Sequence, residues 1–280
     1  MLGVGEAVSR LLNALTFDIE EHFQVSGFAD HIKPESWDQH ESRVAPNTQR
    51  LLGLLSQTGL RATFFFLGWV AERHPDLVRA AAEAGHEIAC HGYAHRLVYD
   101  LTPQQFRDDL RRSLDAIRPH AGGPILGYRA TSFSITERSL WALDVLKEEG
   151  LVYDASVFPV KRERYGIPDA PRAPYTHPNG LMEFPSTVGH FGRLKIPVGG
   201  GYFRLFPYML TRHAIRQVNA EGRPAIAYFH PWEFDPKQPR MPGDRVNTFR
   251  HYVGLKHTEA KLRRLCADVS FAPARVVLGI

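Results

Sequence analysis

Apolar runs of strand length alternate along the chain with segments of helical period. Seven runs read as strands: residues 14–19 (ALTFDI), 62–67 (ATFFFL), 87–91, 125–129, 152–155, 181–184 and 225–230. Residues 47–58 place Leu51, Leu52, Leu54 and Leu55 on one side of a helix that Gly59 stops, and 75–84 form another that ends at Gly85. Thr102 and Pro103 open a long amphipathic helix with Phe106, Leu110, Leu114 and Ile117 turned inward. Thr136 caps a further helix running to Glu149, and 207–220 and 257–266 are also helical. Strand–helix alternation of this kind builds βαβ units and a largely parallel sheet. Seven such strands without a composition break predict one α/β domain, a closed or nearly closed barrel, over the whole chain. The Pro/Gly-rich stretch 159–180 is too long for a simple connector and reads as a functional loop. Gly199, Gly200 and Gly201 predict a flexible segment. Residues 236–255 read as irregular structure wrapping the barrel, within a C-terminal extension that covers 236–280. Residues 1–12 read as a flexible leader, with the domain beginning at Asn13.

Composition narrows the class. The chain has 280 residues, 44% hydrophobic and 23% charged, which excludes disordered, collagen-like and disulfide-scaffold proteins. Net charge is only +4, and the basic residues of 107–118 and 161–164 are interleaved with Asp and Glu. That is a solvated surface, not the basic stripe of a nucleic-acid binder. Cys90 and Cys266 make no disulfide framework. No run approaches the ~18 apolar residues of a membrane span, and the N-terminus lacks the apolar block of a signal peptide. A cytoplasmic protein without a transmembrane segment is the expectation; a homo-oligomer is compatible with it.

The chemistry lies in where polar residues fall. Asp18, His91, Arg129, Asp154 and His230 each end a different predicted strand, and in a parallel barrel those ends converge on the face that carries active sites. His91 and His95, four apart, can ligate one metal, although with 14 His in the chain such spacing also arises by chance. Cys90 alternates to the opposite face and reads as a packed core thiol. Asp18 and Glu20 share a side if the chain stays extended, which suits a two-His-one-carboxylate metal site plus a separate base. Glu21 is the alternative ligand if the strand ends at Asp18, and a solvated acidic loop is the bland one. His230 suits a general acid. Arg129, inward on a barrel strand, needs a carboxylate, for which Asp18 is the candidate. Asp154 could orient His230, or simply make a turn.

Taken together and in order, TFDIEEHF, HGYAH, GYRATSF, YDASVFP and YFHPWEFDP resemble the polysaccharide deacetylase superfamily, carbohydrate esterase family four. The run from Phe249 to Leu262 resembles the extension of its exosortase-associated (PEP-CTERM) branch. The resemblance spans about residues 13–265. It implies a distorted (β/α)7 barrel and metal-dependent removal of acetyl groups from an N-acetylated glycan, within exopolysaccharide biosynthesis. Position by position, it makes Asp18 the catalytic base, Arg129 the residue that positions it, His230 the general acid and Asp154 the tether of that acid. It makes His91 and His95 metal ligands, with Glu20 supplying the carboxylate because Ile19 stands where many relatives carry a second Asp. The ion would be divalent, Zn²⁺ first, with Co²⁺, Ni²⁺ and Mn²⁺ as alternatives. Thr131 replaces the usual Pro of the arginine motif, which predicts a looser segment; a backbone N–H of Ser132 or Phe133 would help stabilise the oxyanion. The rival readings are a cyclic-amide hydrolase of the allantoinase type and a degenerate barrel that binds glycan without turnover. A two-His-one-carboxylate iron oxygenase lacks its usual jelly-roll pattern.

Overall fold

A computed structural model describes residues 11–162 and 164–280; most of the expected leader therefore lies outside the described residues. The strands are β1 (Asn13–Ile19), β2 (Thr63–Phe66), β3 (Glu87–Cys90), β4 (Gly127–Tyr128), β5 (Tyr153–Asp154), β6 (Tyr175–Thr176), β7 (Met182–Glu183), β8 (Val188–Phe191), β9 (Leu194–Pro197), β10 (Ile226–Phe229) and β11 (Phe271–Ala272). The helices are α1 (Val44–Thr58), α2 (Gly68–Arg73), α3 (Pro75–Glu83), α4 (Pro103–Ile117), α5 (Ala142–Glu148), α6 (Gly200–Leu205), α7 (Tyr208–Ala220), α8 (Arg245–Tyr252), α9 (Thr258–Asp268) and α10 (Ala274–Leu278).

All seven strands expected from the pattern pair in parallel, in the order β10-β1-β2-β3-β4-β5-β7. Strand parity sorts their side chains. Leu15, Phe17 and Ile19 of β1 turn outward into one large cluster with helix residues such as Leu51, Val78 and Leu110. Ala14, Phe65, Ala89, Tyr153, Phe184 and Ile226 form a second cluster inside the curl. Thr102 caps α4 as the sequence indicated, and the structure adds a reciprocal box: Thr102 Oγ1 accepts from Gln105 N–H while Gln105 Oε1 accepts from Thr102 N–H.

The curl does not close through a strand ladder. Between β7 and β10 the seam is crossed by one parallel bridge, Gly199 to Tyr228, and by Ile226 N–H donating to Thr187 Oγ1 at 2.8 Å. Gly199 is no flexible link. Its φ is +131°, and a Cβ there would lie 2.3 Å from the Tyr228 carbonyl oxygen, so only glycine permits the approach.

Three further features depart from the sequence expectation. The hairpin β8–β9 was not foreseen, because glycines and a proline blur its alternation. The 159–180 loop ends in β6, antiparallel to β7. Residues 236–255 are not wholly irregular: after three prolines, Asp244 accepts from Val246 and Asn247 N–H and starts α8. The extension then supplies β11, which pairs with the start of β1, and α10, whose Ala274 N–H donates to Thr63 Oγ1 at the base of the barrel.

Candidate metal centre and catalytic face

Four strand ends, those of β1, β3, β4 and β10, bring the charged residues together. Parity puts Thr16, Asp18 and Glu20 on the inner side of β1 and its continuation, opposite the outward Phe17 and Ile19. Asp18 is 2% exposed; its Oδ1 accepts from Arg129 Nη1 at 2.7 Å. The same Nη1 donates to Thr16 Oγ1 at 2.8 Å, and the guanidinium lies 4.2 Å above the Phe65 ring. The pairing of Asp18 with Arg129 is thus as the sequence indicated. Breaking such a buried pair on one side costs about 3–5 kcal/mol.

The metal-type cluster consists of Glu20, His91 and His95, each offering one ligand atom within 4.8 Å of the others. Two glycine-like conformations shape the loop that carries the histidines. Gly92 has φ +75° and His95 φ +50°, and Asp109 Oδ2 holds the turn by accepting from Tyr93 N–H at 2.7 Å. A non-glycine residue at positive φ is a local strain that the surrounding contacts sustain. Glu21, the alternative ligand, faces away: its carboxylate accepts from Ser42 Oγ and Arg43 N–H. Of the two carboxylates that the sequence left open, Glu20 is the one that faces the histidines.

The cluster fits a cation on its own chemistry. His91 Nδ1 is 2.7 Å from the Arg129 carbonyl oxygen. A carbonyl only accepts, so Nδ1 is the donor there and Nε2 is the nitrogen turned to the cluster. Glu20 Oε2 lies 2.8 Å from His95 Nε2 and 3.7 Å from His91 Nε2. Yet this buried oxygen has no aligned hydrogen-bond donor among the described residues. Burial opposes ionisation of Glu20, but His95 and His230, with the ring nitrogens of His91 and His95 beside it, hold its carboxyl well below the usual range. One carboxylate and two imidazoles converge here, a donor set suited to Zn²⁺ or a similar ion.

His230 completes the face. Its Nε2 is 3.8 Å from Asp18 Oδ2 and 3.8 Å from Glu20 Oε1. Burial works against its protonated form, but Glu20, Glu233 and Asp18 together carry its pKa up to about 9.

The tether of that histidine is a correction. Asp154 does not reach it. It sits between Tyr153 and Ala155, which turn into the barrel, so its own side chain projects to the other face. There it accepts from Ser156 Oγ at 2.6 Å and Ser156 N–H at 3.1 Å, the turn role, beside Glu183. The residue that holds His230 is Glu233, whose Oε1 accepts from Nδ1 at 2.6 Å and from His230 N–H at 3.0 Å. Arg204 Nε, also buried, donates to the other oxygen at 2.6 Å. His230-Pro-Trp-Glu233 spells a helix start with Pro first and an acid three residues on. That spacing was the signal for Glu233.

Other sequence readings are also settled. Cys90 is a buried core thiol that contacts Ser113. The segment after Arg129 is not loosened by Thr131, because the threonine hydroxyl donates to the Arg96 carbonyl at 2.7 Å and Ser134 Oγ accepts from Val98 N–H. Ser132 and Phe133 both adopt positive φ, and Phe133 N–H is already donated to Ala130 O, leaving Ser132 as the oxyanion-donor candidate. Among the aromatic residues near this face, Phe203 is fully buried and Trp232 nearly so, while Tyr202 stays partly open and meets Tyr165.

A parallel sheet curled around a buried carboxylate–arginine pair, a tethered histidine and a two-His-one-carboxylate cluster is the framework of a hydrolytic barrel. The polysaccharide deacetylase profile matches residues 14–153, half of the chain, and the chain belongs to that family. Residues 155–279 match a domain of unknown function, DUF3473. A peptidoglycan deacetylase-like protein of Gibberella zeae is 32% identical over 110 residues, 39% of this chain and 32% of that protein. A peptidoglycan deacetylase of Helicobacter pylori is 32% identical over 108 residues, 39% of this chain and 36% of that protein. The chain thus matches about a third of the length of these relatives. A crystal structure described as a polysaccharide deacetylase from Mycobacterium smegmatis shares the fold, with a TM-score of 0.61 at 24% identity, over 99% of this chain and 92% of that one. Among the described residues no helix is long and apolar enough to cross a membrane.

Proposed function

We propose that this chain hydrolyses the N-acetyl amide of an N-acetylated polysaccharide or oligosaccharide, releasing acetate and leaving a free amine. The observation that carries the reading is the placement of His230 Nε2 at 3.8 Å from both Asp18 and Glu20, so that a base, an acid and a cation site border one small volume. Glu20, His91 and His95 would hold the ion, which supplies Lewis acidity toward the acetyl carbonyl oxygen. Asp18 has one oxygen committed to Arg129 and the other free to take a proton from the attacking water. Ser132 N–H would serve as the backbone oxyanion donor. As the carbon–nitrogen bond breaks, His230 Nε2 gives its proton to the departing amine. Glu233, bonded to its other ring nitrogen, and Asp18 favour the protonated ring that this role requires.

The names of the relatives favour an N-acetylated cell-wall-type glycan as substrate. The likeness of 249–262 to the exosortase-associated branch favours exopolysaccharide biosynthesis. Because β1, from the first half, pairs with β10, from the second, we treat the chain as a single domain. The test is acetate release from N-acetylated oligosaccharides by the Zn²⁺-loaded protein. Asp18→Asn should lower turnover about 10²–10⁴-fold while Zn²⁺ stays bound. Full activity in that variant would remove the assigned mechanism. Absence of acetate together with opening of a cyclic amide would favour the allantoinase-type alternative.

A further inference from the structure

Glu20 has a second contact that neither the base nor the acid explains. Its Oε1 accepts from the indole N–H of Trp232 at 3.1 Å, across 212 residues of sequence. Trp232 is 5% exposed and stacks with two imidazoles: His230, with centroids 5.0 Å apart and an interplanar angle of 19°, and His251, at 4.2 Å and 16°.

His251 belongs to α8 in the C-terminal extension and is 3% exposed. Its ring is held in turn. Gln238 uses its amide N–H groups on the carbonyls of Trp232 and Asp235, at 2.8 and 3.0 Å, which orients its Oε1 as an acceptor. His251 Nε2 lies 2.7 Å from that oxygen and so carries the proton. Arg204 binds the His251 and Val253 carbonyls with one nitrogen and Glu233 with another, and its guanidinium lies 5.1 Å from the indole. A clamp built from the extension therefore fixes the plane of one indole, whose only polar atom points at the cluster carboxylate.

We infer that Trp232 is a positioning residue for the metal centre: its N–H holds Glu20 Oε1 so that Oε2 faces His91 and His95, and the extension sets the indole through His251. The inference rests on the reading of Glu20, His91 and His95 as a cation site. It assigns the extension, which the sequence placed merely against the barrel, a share in forming that site. Partners that orient a ligating carboxylate typically govern affinity by 10–100-fold.

The experiment is Zn²⁺ titration of the metal-stripped full chain against a chromophoric chelator, with Tm of the stripped protein recorded alongside. Trp232→Phe keeps the stack and removes the donor. It should weaken Zn²⁺ binding by about 10–100-fold. Trp37→Phe is the control: Trp37 is equally buried, at 4% exposure, and packs on Trp69 instead. It should lower Tm comparably and leave Zn²⁺ affinity unchanged. His251→Ala should weaken binding in the same direction by a smaller factor, and it carries the test if Trp232→Phe does not fold. Wild-type affinity in Trp232→Phe, or in a folded His251→Ala, would overturn the inference. Equal weakening in Trp37→Phe would also overturn it, by showing a merely structural effect. If wild type binds no Zn²⁺, or Glu20→Gln binds as tightly as wild type, the cation-site reading falls and this inference with it.

Discussion

His230 illustrates how one side chain acquires a task from its neighbours. An isolated buried imidazole loses its proton; here three carboxylates around it reverse that outcome. Glu233 is the one bonded to the ring, and Arg204 anchors Glu233 from behind, which fixes the Nε2 direction toward Asp18. Glu233→Gln should therefore lower kcat with little change in KM, because the acid loses orientation and charge support while the substrate-facing surface is untouched. The loss should stay within the ~10²–10⁴-fold that general acid catalysis contributes. Steady-state kinetics on an N-acetylated oligosaccharide checks this, and an unchanged kcat would return the tethering role to another residue. The same comparison for Asp154→Asn should leave kcat nearly intact, since Asp154 faces Ser156 and not His230.

Among the elements, the seam between β7 and β10 is the unusual one. The other junctions of the curled sheet join named strands directly, whereas this one depends on Gly199 lying against the Tyr228 backbone. Tyr228 belongs to β10, and His230 follows that strand directly, so the seam also sets where the acid lies. Gly199→Ala would force a Cβ to within 2.3 Å of a carbonyl oxygen at a φ of +131°, so both sterics and backbone conformation oppose it. A loss of stability beyond the ~1 kcal/mol of an ordinary Gly→Ala strain is expected, with a lower urea midpoint and lower activity together. A variant as stable as wild type would show that the seam yields without cost.

Across the whole molecule, stability should carry a pH signature from the buried carboxyl pair Asp154 and Glu183. They face each other in register on β5 and β7. Burial pushes Glu183 up to about 7, against the hydrogen bonds that it accepts, and raises Asp154 well above its usual range, with Glu183 beside it adding to the rise. Folded values above unfolded ones mean that the folded protein holds extra protons. The associated stability is present in full below the ordinary carboxyl range and is lost as pH rises through about 7. Thermal unfolding should show Tm falling over that window, and Glu183→Gln should flatten the fall by removing one titrating group. An equal slope in the variant would assign the pH dependence elsewhere.

Much of this architecture was legible in the order of residues. Strand parity is local: the position of Asp18 relative to Phe17 and Ile19, or of His91 relative to Cys90, decides which side chain enters the barrel, and seven alternating runs imply the parallel sheet. That was enough to bring Asp18, Arg129, His91, His95 and His230 to one face. What depended on the folded chain was which partners those residues meet. Glu20 was separated from Glu21 by where the chain turns after β1 and by the capture of Glu21 at Ser42 and Arg43. Glu233 displaced Asp154 because β5 presents Asp154 to the opposite face, and Trp232 reached Glu20 across 212 residues. Periodicity carries the direction of a side chain from its own strand; the identity of its partner is set by contacts between distant segments, which exist only once the sheet has curled.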